Sequence, residues 1–403
     1  MKKDFVFTSE SVTEGHPDKL CDQISDAVVD EFLQQDPYAR IIAECAVSKG
    51  VLFIAARFAA NAAVNIPEIA RRVIHDVGYQ DKRFNARDCT IMTSFSEQPL
   101  NDKDRVNEYA LSHAELERRL VCQNQVTVFG YACDQTPALM PLPIALAQRL
   151  SRRMAAARLA GDIPYLSPDG KTQVGIEYRA GNAHRIHSIT LIASQQAREC
   201  ADLVNLRRDL IRYVIEPVLA EAGMPADENT AMFINPDGPL IGGGPSLHSG
   251  LTGRKNAIDT YGEYVRHSGA ALSGKDPMRI DRVGAYAARH AAKNVVAAGL
   301  ASQCEIQLSY SIGQAGPVSM VVETFGSGNV DDREIAERLR AALDFRLGAI
   351  MARFNLRGLP GMAEGGFYRK LAAYGHVGRA DMDLPWERTE VAAAMRLQFD
   401  SAD

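Results

Sequence analysis

The sequence has no long hydrophobic run, no C-x-x-C pair, no excess of positive charge and only one tryptophan. Its longest apolar stretches, such as Val51-Leu52-Phe53-Ile54-Ala55-Ala56, fall far short of the roughly 20 residues that cross a bilayer. A membrane helix is therefore excluded. The first residues are charged and reach Thr8-Ser9-Glu10 without an apolar core, so no secretory signal is visible and a cytoplasmic location is expected. Seven cysteines, at 21, 45, 89, 122, 133, 200 and 304, are odd in number and widely spaced, which reads as buried free thiols rather than a zinc or disulfide framework. With 45 Lys+Arg against 50 Asp+Glu the net charge is -5, which argues against nucleic acid or an anionic membrane as partner. A local basic pocket for a small polyanion remains open.

What is present is an ordinary globular composition, 46% hydrophobic and 24% charged over 403 residues, long enough for two or three cores. No repeat is visible at the level of residue identity. Apolar strand-like runs at Ala43–Phe58, Val126–Ala132, Thr172–Tyr178, Ile186–Ser194, Gln303–Ile312 and Ser319–Thr324 alternate with helical patterns. The helices are expected at Asp18–Gln35, Ile66–Val77, Ala138–Ala160, Arg198–Ala222, Val283–Ala298 and Asp332–Phe345, the first with an apolar and a polar stripe. Alternation within most strands predicts an α+β fold of mainly antiparallel sheets covered by helices. Breaks near Gln98–Asp104 and Asn235–Pro239 divide the chain into three units, 3–101, 115–236 and 237–378.

Four stretches carry polar groups that a core does not need. Glu14-Gly15-His16-Pro17-Asp18-Lys19 precedes a helix, whose N-terminal N–H groups favour an anion. There His16 suits a phosphate oxygen, and Asp18 suits either a cap or a metal. Gly250-Leu251-Thr252-Gly253-Arg254-Lys255 and Gly269 to Asp276 are glycine-rich and basic. The latter nearly matches a phosphate loop, but Asp276 replaces its Ser/Thr and no buried strand precedes it. What survives is flexible backbone with Arg254, Lys255, Lys275, Arg279, Asp276 and Asp281, a mix that suits a polyphosphate with Mg²⁺ or else a solvated basic loop. Pro168-Asp169-Gly170-Lys171 is a turn with or without function. His184, His187, His290 and His376 show no metal-ligand spacing.

The string Phe7-Thr8-Ser9-Glu10-Ser11-Val12-Thr13-Glu14-Gly15-His16-Pro17-Asp18-Lys19, together with Gly250 to Lys255 and Ser273-Gly274-Lys275-Asp276-Pro277, resembles the S-adenosylmethionine synthetase family. The likeness continues through Ala285–Arg289, Ala297–Ala301, Ala373–His376 and Pro385-Trp386-Glu387, nearly the whole chain. It implies three similar α+β domains and a homodimer or dimer of dimers with active sites at the interface. It also implies attack of a thioether sulfur on C5′ of ATP, loss of the triphosphate, and its cleavage to phosphate and diphosphate. By motif, His16 meets the leaving triphosphate, and Asp169, Lys171, Arg254, Lys255, Ala271 and Lys275 hold ATP. Asp18 and Asp281 hold Mg²⁺, two ions being expected, and Glu44 belongs to a K⁺ site.

The acceptor side departs from the family pattern. The usual G-A-G-D-Q-G-L-M-F-G-Y-A is here Val121 to Ala132, with Asn124 for the aspartate. Arg57 stands where a glutamate meets the methionine ammonium, His248 for a second aspartate, Pro239 for an arginine and Arg279 for a lysine. Only Gln98 keeps the family identity there. These exchanges add positive charge, which disfavours an ammonium and favours an acid lacking one. The expectations are therefore adenosyl transfer to methionine, or to an analogue such as an amine-free thioether acid, or else a weak ATP- or triphosphate-binding relative serving as a partner subunit. The polar segment 99–117 fits either a mobile lid or an exposed loop and helix.

Overall fold

The computed structural model describes residues 4–101 and 104–397. Residue 3, at the start of the first expected unit, and residues 102 and 103, within both the Gln98–Asp104 break and the 99–117 segment, lie outside the described residues. In chain order the first elements are β1 (Phe5–Val12), α1 (Pro17–Gln35), β2 (Arg40–Ser48), β3 (Val51–Ala59), α2 (Ile66–Val77), a small pair β4 (Gln80–Asp81) and β5 (Phe84–Asn85), and β6 (Thr90–Glu97). Then come α3 (His113–Arg119), β7 (Val126–Cys133), α4 (Leu142–Leu159), β8 (Leu166–Arg179), β9 (Asn182–Gln195), α5 (Leu203–Leu210), α6 (Glu216–Ala222), β10 (Ala231–Ile234) and β11 (Leu240–Ile241). The last third supplies β12 (Gly250–Leu251), α7 (Asn256–Asp259), α8 (Ile280–Ala297), β13 (Gln303–Tyr310), β14 (Ser319–Glu323) and α9 (Asp332–Ala342), followed by short helices.

Beside the small β4–β5 pair, three larger sheets result, each backed by a long helix. The orders are β1-β8-β9-β10 with β11 also on β9, β12-β2-β3-β6, and β14-β13-β7, packed against α4, α1 and α8 respectively. Every sheet takes a strand from a distant part of the chain: β1 pairs with β8, β12 with β2, and β7 with β13. Most pairs are antiparallel, but β3–β6, β9–β10 and β9–β11 are parallel. For β3 and β6 the connection crosses over through α2, which returns the chain to the same end of the sheet.

Several expectations need correction. Ala43–Phe58 is not one strand but the hairpin β2–β3, turned at Lys49 (φ 52) and Gly50. The first helix keeps its apolar and polar stripes, but the polar stripe does not face solvent, because sixteen of its 19 residues are buried between its own sheet and the C-terminal segments. The helix expected at Arg198–Ala222 starts at Leu203 and contains a π-turn at Ile211–Ile215. Pro217 has no N–H to give Tyr213, and Arg153 Nε donates to that freed carbonyl at 2.7 Å.

Candidate active site

Two glycines let separate segments meet at the start of α1. A Cβ on Gly250 would lie 2.2 Å from the Pro17 carbonyl carbon, and one on Gly15 would lie 2.4 Å from Pro168. Only a residue without a side chain allows these approaches. They bring together the Glu14–Lys19 stretch, the Gly250–Lys255 loop and the Asp169 stretch, which is not a turn but the irregular start of β8.

His16 caps the helix, its Nδ1 accepting the Asp18 N–H at 3.2 Å. Asp18 is therefore not the cap. Its Oδ1 accepts from Leu251 N at 3.0 Å, its Oδ2 accepts from Lys255 Nζ at 2.6 Å, and Arg254 Nη1 lies 3.7 Å from Oδ1. Burial opposes ionisation of Asp18, but the Lys255 and Leu251 hydrogen bonds outweigh it and hold the carboxyl below its ordinary range. Asp169 is buried and behaves likewise: burial is outweighed by the hydrogen bond with His248 Nε2 at 2.8 Å, the nearby His16 and the Gly244 N–H. Because an ionised carboxylate only accepts, His248 Nε2 is the donor. Burial pushes His16 down to about 4, with Lys255 and His248 adding to the effect and Asp169 and Asp18 opposing it. Ala271 faces the same loop, 2.4 Å from where a Cβ on Gly253 would stand. Lys171, exposed, pairs in register with Val12 two residues beyond Asp169.

The second basic loop joins the same strand. Ala43 N donates to Gly274 O at 2.9 Å, Asp276 N to Ile41 O at 3.1 Å, and Ile41 N to Asp276 Oδ2 at 2.7 Å, so the loop adds to β2 as β12 does further along. Lys275 Nζ stands 3.6 Å from Asp281 Oδ1, and Asn124 Nδ2 donates to both Asp281 oxygens at 3.0 and 3.3 Å. Burial lowers the Lys275 pKa, opposed by Asp281 and, more weakly, by Glu44, which projects from β2. Arg279 Nε lies 3.7 Å from Asp276 Oδ2 and makes no hydrogen bond among the described residues.

Arg57 and Gln98 form a third group. Arg57 on β3 is level with Ile42 on β2 and Ser96 on β6, Ile42 bridges to Lys275, and Gln98 N donates to Phe58 O at 2.8 Å. Both side chains are exposed. Within the described residues no hydrogen bond or ion pair joins either to His248, Asn124 or Arg279. The same sheet face carries an apolar row, Leu251, Ala46, Phe53 and Met92, in register across four strands.

The motifs did not disclose the supports beneath these loops. Along one face of α1, Asp18, Asp22, Asp26 and Asp30 recur every four residues and all are buried. Asp22 Oδ1 accepts from Gly253 N at 2.8 Å, and Lys19 is buried between Asp22 and Asp259. Asp26 accepts from Gly274 N at 2.8 Å and from Arg282, while Asp30 accepts from Tyr368 N and Arg369 N, both at 2.9 Å. The four-residue spacing was the available signal.

Family models for the N-terminal, central and C-terminal domains of S-adenosylmethionine synthetase match residues 4–99, 119–240 and 242–388. The S-adenosylmethionine synthase of Trichodesmium erythraeum (strain IMS101) is 45% identical, covering 99% of this chain and 98% of its own length. That of Synechococcus sp. (strain JA-3-3Ab) is 46% identical with 97% of each covered, and that of Thermosynechococcus vestitus is 46% identical with 99% of each covered. Fold, loops and matches together define an ATP-dependent adenosyltransferase, an enzyme built to handle a polyphosphate. The chain belongs to the S-adenosylmethionine synthetase family. No described helix is long and apolar enough to cross a membrane.

Proposed function

We propose that this enzyme joins a thioether sulfur to C5′ of ATP and that its preferred acceptor carries a carboxylate but no ammonium. The observation that carries the acceptor reading is Arg57, exposed beside Gln98 and without an ion pair among the described residues. A guanidinium there repels an ammonium and offers a carboxylate two parallel hydrogen bonds. The sulfur lone pair forms the new S–C5′ bond while the C5′–O bond breaks and its electrons leave with the triphosphate. Water then cleaves that triphosphate to phosphate and diphosphate. An uncharged sulfur needs no general base, so the protein's task is alignment and stabilisation of charge on the leaving oxygen.

In this reading His16, Arg254, Lys255 and Lys275 stabilise the triphosphate, with Asp169, Lys171 and Ala271 completing the ATP site. Gln98, Arg57, His248, Arg279 and Asn124 face the acceptor. The buried carboxylates of Asp18 and Asp281, beside Lys255 and Lys275, are hard oxygen donors of the kind Mg²⁺ selects. They would hold it, and Glu44 would give an oxygen to K⁺. When bound, Mg²⁺ supplies positive charge to the phosphate oxygens. The exposed apolar row beside Arg57 fits the same face of a second copy, which makes a homodimer, alone or paired into a dimer of dimers, the expected assembly.

The test is mass spectrometry of products from ATP, Mg²⁺ and K⁺ with methionine and amine-free thioether acids in parallel. An adenosylated sulfonium from the amine-free acid at the higher kcat/KM is expected. Preference for methionine overturns the acceptor reading, and triphosphate cleavage without any sulfonium overturns transfer itself.

A further inference from the structure

The cluster of His16, Asp169 and His248 has a composition that a phosphate site does not require. One ring nitrogen from each histidine and one carboxylate oxygen of Asp169 lie within 4.8 Å of one another. The two rings meet edge to face with centroids 5.1 Å apart. Asp169 is only 6% exposed, and its Oδ1 is buried without a hydrogen-bond partner among the described residues. A buried carboxylate with one oxygen unpaired, set beside two imidazoles, is a grouping that suits a cation.

We propose that His16, Asp169 and His248 bind a divalent d-block cation of the zinc class, beside Asp18, whose Oδ2 lies 3.8 Å from His16 Nδ1. Two imidazoles and one carboxylate select such an ion over Mg²⁺ or Ca²⁺. Three protein ligands leave a fourth position open in a tetrahedral sphere, and half-buried His248 keeps the site reachable from solvent. The Gly244 N–H, 2.8 Å from Asp169 Oδ2, fixes the carboxylate from behind. Loading requires His248 to exchange its Nε2–H···Asp169 bond for a metal bond, its proton moving to Nδ1, and His16 to give up the Asp18 N–H at its Nδ1, either by ligating through that nitrogen or by moving its Nε2 proton onto it. The ion would share His16 and Asp169 with the proposed ATP site and His248 with the proposed acceptor site, and its test, metal binding by the free protein, is read independently of that function.

The experiment uses the full-length protein, stripped with a chelator and dialysed against Zn²⁺, and separately Co²⁺, with Mg²⁺ in excess. Metal content and the Co²⁺ absorption spectrum are the readouts. One ion per chain is expected, with ligand-field bands of a nitrogen and oxygen sphere and no thiolate charge-transfer band. His248→Ala and His248→Gln should each weaken Zn²⁺ binding at least tenfold, whereas His184→Ala, on an exposed strand position, should not. Absence of binding, displacement by Mg²⁺, an unchanged affinity in both His248 variants, or a sulfur band pointing to exposed Cys200 would each overturn the proposal. Should a variant fail to fold, the wild-type Co²⁺ spectrum still decides between nitrogen and sulfur ligands.

Discussion

The Lys255 ammonium is held 2.6 Å from Oδ2 of Asp18, a residue 237 positions away, and that pair clamps the glycine-rich loop onto the first turn of α1. The contact holds a cation at the first turn of α1 and keeps the Asp18 carboxylate ionised; in the proposed function these are the phosphate-facing and metal-holding groups. Removing Lys255 leaves the buried Asp18 with only the Leu251 N–H and the more distant Arg254, so the two residues are coupled in mutagenesis.

Lys255→Met should lower the rate of adenosyl transfer about a hundredfold or more, the ~2.7–4 kcal/mol typical of losing one donor to a developing anion. Single-turnover sulfonium formation at saturating ATP measures it. An effect confined to the KM for ATP would place Lys255 in ground-state binding only.

Arg57→Glu reverses the charge on the face that the proposed function gives to the acceptor. The ratio of kcat/KM for methionine over an amine-free thioether acid should rise at least tenfold, about 1.4 kcal/mol of discrimination. Competition between the two acceptors in one reaction, quantified by mass spectrometry, reads the ratio directly.

Gly250→Ala places a methyl group against the Pro17 carbonyl, which backbone on both sides prevents from yielding. The expected cost is ~1–3 kcal/mol of stability, with weaker ATP binding because the loop carrying Arg254 and Lys255 is displaced. Thermal denaturation and ATP Kd are the checks. Wild-type values for both would mean that the close approach is not rigid.

Asp30 accepts two N–H groups of the Tyr368–Leu371 helix, yet burial pushes its pKa up to about 7, with the Arg369 and Tyr368 N–H bonds only partly opposing. Between about pH 4 and 7 the folded state then holds a proton that the unfolded chain has lost, so this group's contribution to stability falls as pH rises through that window and is flat above it. Asp30→Asn should be less stable at pH 5, because an amide cannot accept both N–H groups, and should lose stability less steeply up to pH 8. Tm against pH for the two proteins tests the slope. Parallel curves would show that Asp30 titrates normally.

Phe53→Glu puts a charge in the centre of the exposed apolar row. A shift from dimer to monomer in sedimentation is expected, with transfer activity lost in step. A wild-type sedimentation profile would exclude this sheet face as the contact.

Local chemistry made much of this legible. The helix at Ile66–Val77 is bounded as expected, with Asn65 accepting from Glu68 N at its start and Gly78 in the left-handed region at its end. The Glu14–Lys19 and Gly250–Lys255 stretches carry their function in consecutive residues. By contrast β6 reads Thr-Ile-Met-Thr-Ser-Phe-Ser-Glu, mostly exposed, and exists because β3 offers it a parallel ladder. The β2–β3 turn hid because apolar residues flank it without a strong turn pair. His16, Asp169 and His248 come from three distant segments, and only tertiary packing reveals their proximity.

The row of aspartates along α1 separates what this molecule can change from what it must keep. Lys255 and the Gly274-Lys275 loop hang directly from that helix, so any drift there would disturb several buried ion pairs at once. Among the described residues, Arg57, Asn124, Pro239 and His248 receive no bond from any of the four aspartates. One face of the site is thus anchored to a common spar and the other is not, so under the proposed function a change of sulfur nucleophile leaves the phosphate-facing groups in place.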